Sequence, residues 1–231
     1  MKAIVRHEPM HPLVEFELGP NEAVLAEAGS MVARQGDVKM SIAFDAAGEA
    51  TFFARLRALL VAVLRKWVSG EHFHANRFSA PSAGGWVWLA PALAGEVRKL
   101  TLLAGETWTL VPGAFVASDA HVKLRPRFAG FGALFSRDAV FWLEVSGEGE
   151  VWLAGHGAID VIEVDGSHIV AVDHLLAFAA TLRPKMRETK GSAFIRRDDA
   201  RDVELVGRGR ALVQARSVRA LIAWLSPCLP E

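Results

Sequence analysis

The residues with the strongest claim to chemistry are two histidines, His72 and His74, separated by one residue. At strand spacing their imidazoles lie on one face, where they could ligate a transition metal. No carboxylate follows within the next few residues, and Glu71 points to the opposite face. We therefore expect surface or partly buried polar histidines. A metal site completed by His121 or His156, if folding brings either close, is the alternative.

No other residues of the chain form a recognisable catalytic motif. The sequence has no nucleophile elbow, phosphate-binding loop, dinucleotide fingerprint or paired-cysteine zinc motif. Its single cysteine, Cys228, excludes an internal disulfide framework and is expected to be a small hydrophobic side chain near the C-terminus. Asp198 and Asp199 follow two arginines, which is typical of a solvated loop. We predict that the protein is not an enzyme and carries no cofactor.

The chain has equal numbers of basic and acidic residues, but they are unevenly distributed along the sequence. Lys and Arg number 26, as do Asp and Glu, so no overall field favours nucleic acid or an anionic membrane. Between Arg183 and Arg219, however, eleven basic residues stand against five acidic ones. Stacking on single-stranded bases requires interleaved aromatics, and this stretch offers only Phe194. RNA binding is therefore a weaker alternative, and an acidic partner or the acidic rim of another subunit fits the stretch equally.

Composition indicates a globular chain of one domain. Hydrophobic residues make up 52% and charged residues 23%, which supplies a large core and too little charge for disorder. The first residues lack the apolar run of a signal peptide, and the longest apolar stretch, residues 59–64, is far shorter than the ~20 residues of a membrane span. We expect a cytoplasmic protein in a reducing compartment.

One segment, residues 50–68, has helical rather than strand periodicity. Its apolar residues gather on one face at 3.6 residues per turn, with arginines and a lysine on the other side. The residues of this face that are candidates for an interface are Phe52, Phe53, Leu56, Leu60, Val63 and Trp67. The face is too apolar to remain in water, and it could pack on the protein's own sheet, on another subunit or on a membrane surface.

Elsewhere the pattern predicts short strands separated by turns. Residues 13–18 alternate apolar and polar positions, and shorter alternating pieces follow at residues 140–145 and 202–206. Glycine-rich punctuation predicts turns between them, including turns at residues 164–166 and 207–209. Short strands at regular spacing predict an all-β sandwich, prism or barrel.

The strand pattern occurs three times. The segment Met31-Val-Ala33 aligns with Phe115-Val-Ala117 and, in a third block, with Leu176-Ala-Phe178, and further blocks align Trp88, Trp152 and Leu212. Recurrence of this kind indicates one supersecondary unit copied in order. We predict a single domain of repeats at about residues 3–102, 103–164 and 165–218, with a tail at residues 219–231. Matched tryptophans such as Trp88 and Trp152 are expected to fill equivalent core sites, or otherwise to line a pocket or a subunit contact.

These blocks resemble a known family. The opening pattern at residues 14–32, the segment Gly113-Ala-Phe-Val-Ala and the segment at residues 146–153 are similar to the family of the yeast altered-inheritance-of-mitochondria protein twenty-four. The resemblance covers roughly residues 3–218. It implies an all-β fold with pseudo-threefold repeats of the double-stranded β-helix type, related to the tryptophan RNA-binding attenuation protein. It implies a homo-oligomer and no known reaction, and the yeast relative is tied to inner-membrane organisation.

These observations favour a non-enzymatic oligomeric scaffold or interaction protein. Three units of short strands leave edges that one chain does not close, so we expect a homo-oligomer, with a trimer favoured. A peripheral membrane or protein partner is a further expectation. The competing classes are a cupin-like metal-binding or small-molecule-binding β-helix, with His72 and His74 as ligands, and an RNA-binding module.

Overall fold

The computed structural model of the chain describes residues 1–45, 74–128, 141–188 and 201–228. These residues are mostly β, which confirms the predicted class. The helix predicted over residues 50–68 lies outside the described residues.

The strands are short, and most are joined by tight turns. In chain order they are β1 Lys2–Arg6, β2 Leu13–Leu18, β3 Ala23–Glu27, β4 Met31–Arg34, β5 Lys39–Asp45, β6 His74–Ser79, β7 Gly85–Leu89, β8 Val97–Leu102, β9 Thr107–Leu110, β10 Phe115–Asp119, β11 Lys123–Phe128, β12 Phe141–Ser146, β13 Gly149–Ala154, β14 Ile159–Ala171, β15 Leu175–Ala179, β16 Arg183–Glu188 and β17 Arg201–Gln214. A 3-10 turn, Val172–His174, precedes β15. Helix α1, Val218–Leu225, and a second 3-10 turn, Ser226–Cys228, follow β17.

The strands form three antiparallel sheets. Sheet 1 has the order β1-β2-β7-β4, and sheet 2 has the order β5-β6-β3-β10-β13-β8. Sheet 3 has the order β11-β12-β9-β15-β17-β14, with β16 also paired to β17. Sheets 2 and 3 therefore each combine an earlier and a later part of the chain, which join where β10 pairs with β3 and where β15 pairs with β9.

Three apolar cores lie against these sheets. The first core contains Phe16 of β2, Phe78 of β6 and Trp152 of β13. The second core contains Leu110, Val145 and Leu153, and the third contains Phe178 and Leu205. Because successive residues of a strand face opposite sides, β13 sends Trp152 into the first core and Leu153 into the second. Sheet 2 thus separates two cores.

Three strand pairs contain the same irregularity. The pairing of β4 with β7 shifts between Met31 and Ala33, that of β10 with β13 between Phe115 and Ala117, and that of β15 with β17 between Leu175 and Ala177. A shift of this kind is a β-bulge, in which one strand carries an extra residue. The extra residues are Val32, Val116 and Leu176.

The register moves the third block of the sequence alignment by one residue. Ala33 pairs with Trp88, Ala117 with Trp152 and Ala177 with Leu212, so Ala177 is the third equivalent, where the alignment had placed Phe178. The cause lies just before β15, where the 3-10 turn Val172–His174 occupies the place of a glycine turn.

The turns predicted at residues 164–166 and 207–209 are wrong. Strands β14 and β17 run through both segments as one long antiparallel pair, in which Gly166 lies opposite Gly207. Both glycines have positive φ, +99° and +135°, a conformation that costs glycine little. The two glycines adopt these unusual backbone angles while the hydrogen-bonded pairing of β14 with β17 continues past them. Glycine, which ends strands elsewhere in this chain, lies inside a long strand here.

The segment after β17 is a helix that the sequence pattern did not indicate. Ser217 caps α1 by accepting a hydrogen bond from the backbone N–H of Ala220 at 3.1 Å. No residue of α1 is buried, and Ile222, Trp224 and Leu225 are exposed. The predicted tail at residues 219–231 thus includes an ordered, exposed apolar helix.

Candidate interaction surface

The predicted metal ligands are not brought into a described site. His72 lies outside the described residues. His74 begins β6 opposite Asp45, is exposed, and its backbone oxygen accepts a hydrogen bond from Ala28 at 3.0 Å. Among residues 1–45, 74–128, 141–188 and 201–228, no three His, Cys, Asp or Glu side chains are grouped as metal ligands.

The interface residues predicted on the helical segment, Phe52, Phe53, Leu56, Leu60, Val63 and Trp67, also lie outside the described residues. The described surfaces therefore come from other parts of the chain, namely β4, β14 and α1. Of these, β4 and the end of β14 belong to blocks that the internal sequence alignment had matched, whereas α1 does not.

Two histidines line an open pocket of about 340 Å³ beside α1. His156 Nδ1 lies 3.0 Å from the carbonyl oxygen of Ala94, and His174 Nδ1 lies 2.8 Å from that of Gln214. A carbonyl oxygen only accepts, so both rings carry a proton on Nδ1. Leu221 is among the apolar residues of the lining. Both rings thus contact backbone carbonyl oxygens, in a lining that is mostly apolar.

The first prominent surface is the β4 edge, which we define as Met31–Arg34 of β4 together with Trp88 of β7. β4 is the last strand of sheet 1, and its outer side has no strand partner among the described residues. The bulge residue Val32 is 54% exposed, whereas its equivalents Val116 and Leu176 are 1% and 2% exposed. An exposed apolar edge strand is a template for pairing with another strand.

The second is the β14 edge, which we define as residues 167–171 of β14. This part pairs with β17 on one side, and no described strand lies on the other. Ile169 is 56% exposed, although the equivalent positions Leu25 of β3 and Thr109 of β9 are 7% and 0% exposed. The equivalence follows from the register, since Leu25 pairs with Arg77, Thr109 with Glu144 and Ile169 with Glu204.

An aromatic pair lies beside the β4 edge. The rings of Trp86 and Trp88 are 5.2 Å apart at 39°. Trp88 Nε1 is buried without a hydrogen-bond partner in the described part of the chain. Glu15 lies opposite Trp88 on β2 and forms an ion pair with Arg6. A buried indole N–H without an acceptor costs free energy, so this face is incompletely satisfied in the single chain.

Three described arginines of the basic stretch after residue 183 form ion pairs. Arg187 Nε donates to Glu204 at 2.9 Å, Arg208 donates twice to Asp165 at 3.0 and 3.2 Å, and Arg219 lies 3.3 Å from Asp173. The hydrogen bond from Ser167, followed by Arg187, holds the pKa of Glu204 below its ordinary value. These pairs leave fewer free cations for a phosphate backbone than the composition implies.

Comparison with known proteins identifies the family of the chain. The profile of a protein family described as mitochondrial biogenesis AIM24 matches residues 4–216. The chain belongs to the AIM24 family. This match confirms the resemblance that the recurring blocks indicated, over nearly the same range. A search of curated proteins gives no match to this AIM24 protein.

A solved structure shares the fold. The X-ray crystal structure of a protein from Streptococcus pyogenes superposes with a TM-score of 0.75 over 99% of both chains, at 22% sequence identity. At this identity the likeness concerns the fold alone. No helix in the described ranges has the length and apolar character needed to cross a bilayer.

Sequence reasoning had matched Trp88, Trp152 and Leu212, but it aligned Phe178 in place of Ala177 and missed the two edges. It placed Trp88 and Trp152 in equivalent core sites, with a subunit contact as the alternative. Trp152 is buried in the first core, whereas Trp88 is only half-buried beside an open edge. The signal that could have revealed this is order in the chain, because the first and last units have a neighbour on one side only.

Proposed function

We propose that this AIM24 protein is a non-enzymatic homo-oligomeric scaffold, built from three copies of one β unit of the double-stranded β-helix type. One observation supports the repeat. A bulge occurs at equivalent positions of three strand pairs, and its extra residues are Val32, Val116 and Leu176. Several described acidic groups form surface ion pairs, such as Lys99–Glu150 and Arg127–Glu144. A trimer is the favoured state.

The observation that carries the proposal is the exposed β4 edge. Val32 is as apolar as its buried equivalent Val116, and beside it Trp88 Nε1 is buried without a hydrogen-bond partner among the described residues. A soluble monomer seldom leaves an apolar strand edge uncovered, because such edges aggregate unless they are charged, twisted away or paired. A regular protein contact at this edge accounts for the exposure without aggregation.

The test is the mass of the native protein. Native mass spectrometry and light scattering at micromolar concentration are expected to give a defined multiple of the 25.1 kDa chain mass, with three chains favoured. A clean monomer would contradict the proposal. Elemental analysis of the same sample addresses the cupin-like alternative, in which His72 and His74 bind a metal. A dedicated site should retain well over ~0.1 metal per chain after mild purification, and the scaffold is expected to retain less.

A second candidate function, attachment to a membrane surface, is favoured by α1. Trp224 is 69% exposed and Ile222 is 58% exposed on this helix, and an amphipathic helix with tryptophan on its apolar face suits the boundary of a bilayer. The sequence pattern of residues 50–68, which include Phe52 and Phe53, predicts a second amphipathic helix, although this segment lies outside the described residues. The AIM24 family's description as a factor in mitochondrial biogenesis is compatible with such a role.

A flotation assay separates this candidate from a scaffold that makes only protein contacts. Anionic vesicles at low salt are mixed with the wild type, with Ile222→Ser/Trp224→Ser and with Phe52→Ser/Phe53→Ser. We expect no flotation of the wild type. Flotation that one of the variants and high salt abolish would assign the corresponding helix to the membrane, because salt screens charges within ~8–10 Å.

A further inference from the structure

The chain uses one kind of junction twice. At the first junction, β10 pairs with β3 so that Ala117 lies opposite Ala26 and Ser118 opposite Leu25. At the second, β15 pairs with β9 so that Ala177 lies opposite Leu110 and Phe178 opposite Thr109. The two registers are the same once the bulges are aligned. In both junctions a bulged strand, β10 or β15, pairs with an earlier strand of the chain, β3 or β9, in the same register.

Each junction also completes the core of the earlier unit. The second unit contributes Val116, Ala117 and Trp152 to the first core, where Trp152 packs edge-on against Phe16 with ring centroids 4.7 Å apart. The third unit contributes the equivalent Leu176, Ala177 and Leu212 to the second core. Burial of these side chains removes a continuous apolar strip from water at both junctions.

The first and the last part of the chain each have one strand edge that is equivalent to one side of these junctions but is not paired within the chain. The first unit holds the equivalents of the contributed residues, namely Val32, Ala33 and Trp88, and none of them belongs to a described core. The third core receives no residue from the first unit among those described. The β4 edge thus resembles β10 and β15, the strands that add side chains to an earlier core. The β14 edge resembles β3 and β9, the strands with which β10 and β15 pair.

We propose that a second copy of this chain completes the junction, with the β4 edge of one copy paired to the β14 edge of the next. The register of the two internal junctions places Ala33 opposite Val170 and Arg34 opposite Ile169. Trp88 then enters the third core near Ile162, the equivalent of Phe16, as Trp152 does beside Phe16. This inference rests on the proposed homo-oligomeric scaffold and specifies its interface.

A second copy is the occupant that the observations favour. The two edges differ from each other, yet each is the counterpart of a strand that the same chain already binds in this register. Within the single chain the β4 edge and the β14 edge are not paired. A contact between two different surfaces of identical chains is heterologous, and it forms a ring when the rotation closes. A closed ring leaves neither edge exposed.

Cysteine cross-linking between separate chains tests this register. In a Cys228→Ser background, Ala33→Cys and Val170→Cys are made as two single variants, purified separately, mixed and oxidised mildly. Facing residues of an antiparallel pair lie about 4.5–5.5 Å apart at Cα, within disulfide reach. We expect a covalent dimer in the mixture, visible on a non-reducing gel, and none from either variant alone. The pair Arg34→Cys with Ile169→Cys is expected to behave in the same way, and it serves if Val170→Cys fails to fold.

Two controls fix the interpretation. Ala26→Cys/Ala117→Cys in one chain is the internal equivalent of the proposed pair and should form an intrachain disulfide. Ser167→Cys mixed with Ala33→Cys is three residues out of register and should not cross-link.

Three results would overturn the inference. An intrachain disulfide in the double variant Ala33→Cys/Val170→Cys, with no cross-link in the mixture, would show that one chain closes on itself. A covalent dimer from Ala33→Cys alone would show that β4 pairs with β4. Absence of any cross-link with an unchanged oligomeric mass would place the interface elsewhere and leave the scaffold standing, whereas a monomeric mass would remove the scaffold as well.

Discussion

The inner junctions and the two ends of this chain are built from equivalent residues in different surroundings. Val116 and Leu176 are bulge residues buried between two units, whereas Val32 occupies the same bulge and is exposed. Similarly, Leu25 and Thr109 are buried in strands that have a partner on each side, and Ile169 is exposed at an edge. A neighbouring strand from another part of the chain, and not the residue type, decides whether the position is buried. In the proposed scaffold, a second chain covers the two exposed ends.

The largest expected difference between an inner junction and an end of the chain is the loss of stability caused by a lysine at the bulge position. Val116→Lys places an ammonium group in the first core without a partner, which should prevent folding or lower stability by several kcal/mol. Val32→Lys places the same group at an exposed site of the same strand type and should change the free energy of unfolding by less than about 0.5 kcal/mol. Chemical denaturation of both variants measures this. Equal destabilisation would show that Val32 is already covered within the chain.

The Val32→Lys variant should nevertheless lose the assembly. A lysine on an edge strand opposes pairing with another strand. We expect native mass spectrometry to show dissociation towards the 25.1 kDa monomer with an unchanged circular dichroism spectrum. The matched control is Ile42→Lys, which changes another exposed branched residue on the edge strand β5. The mass of this control should stay that of the wild type, and loss of the assembly in both variants would point to a general charge effect.

The two equivalent tryptophans should separate stability from assembly. Trp152→Ala removes a fully buried indole and its contact with Phe16, at a cost of about 3–5 kcal/mol. Trp88→Ala removes a half-buried indole and should cost less than half of that in the isolated chain. It should instead weaken the oligomer, which dilution followed by light scattering measures. A loss of stability equal to that of Trp152→Ala would place Trp88 in the core of its own chain.

The all-β class was predictable because the sequence alternates apolar and polar residues in short segments. The strand at Leu13–Leu18 has the predicted bounds, and Trp88, Trp152 and Leu212 hold equivalent places in the pairing register. Alternation is a local property, so it predicts strands well. The long pair of β14 with β17 was missed because Gly166 and Gly207 have the local chemistry of a turn. Their pairing opposite each other joins residues 41 positions apart in the chain.

The candidate site was less accessible to sequence reasoning. His72 and His74 attracted attention by spacing alone. His74 is an exposed strand residue, His72 lies outside the described residues, and the part of the chain that the structure describes holds no group of three metal-ligating side chains. Val32, by contrast, has no chemical signature and reads like its buried equivalents Val116 and Leu176. Val32 is exposed because β4 is the last strand of its sheet. The order of strands in a sheet cannot be read from a single sequence.

A smaller effect distinguishes the β14 edge from its surroundings. Ser167 Oγ donates to Glu204 at 2.6 Å and, together with Arg187, lowers the pKa of that carboxyl group. The carboxylate interactions are therefore complete at pH above the unfolded pKa and are lost as pH falls through the folded one. Ser167→Ala should raise the pKa of Glu204 towards its ordinary value in an NMR titration. The pKa of Glu22, which the α-amino group of Met1 and the backbone N–H of Gly19 lower, should not move.

Hydrogen exchange at different protein concentrations tests the central claim most directly. Amides of β3, β9, β10 and β15 should be protected at every concentration, because they lie in internal junctions. Amides of β4 and of residues 167–171 should exchange fast when the protein is dilute and become protected together as the oligomer forms. Protection of both edges already in the monomer would show that the single chain covers them. Fast exchange of both edges in the assembled protein would show that the chains meet elsewhere.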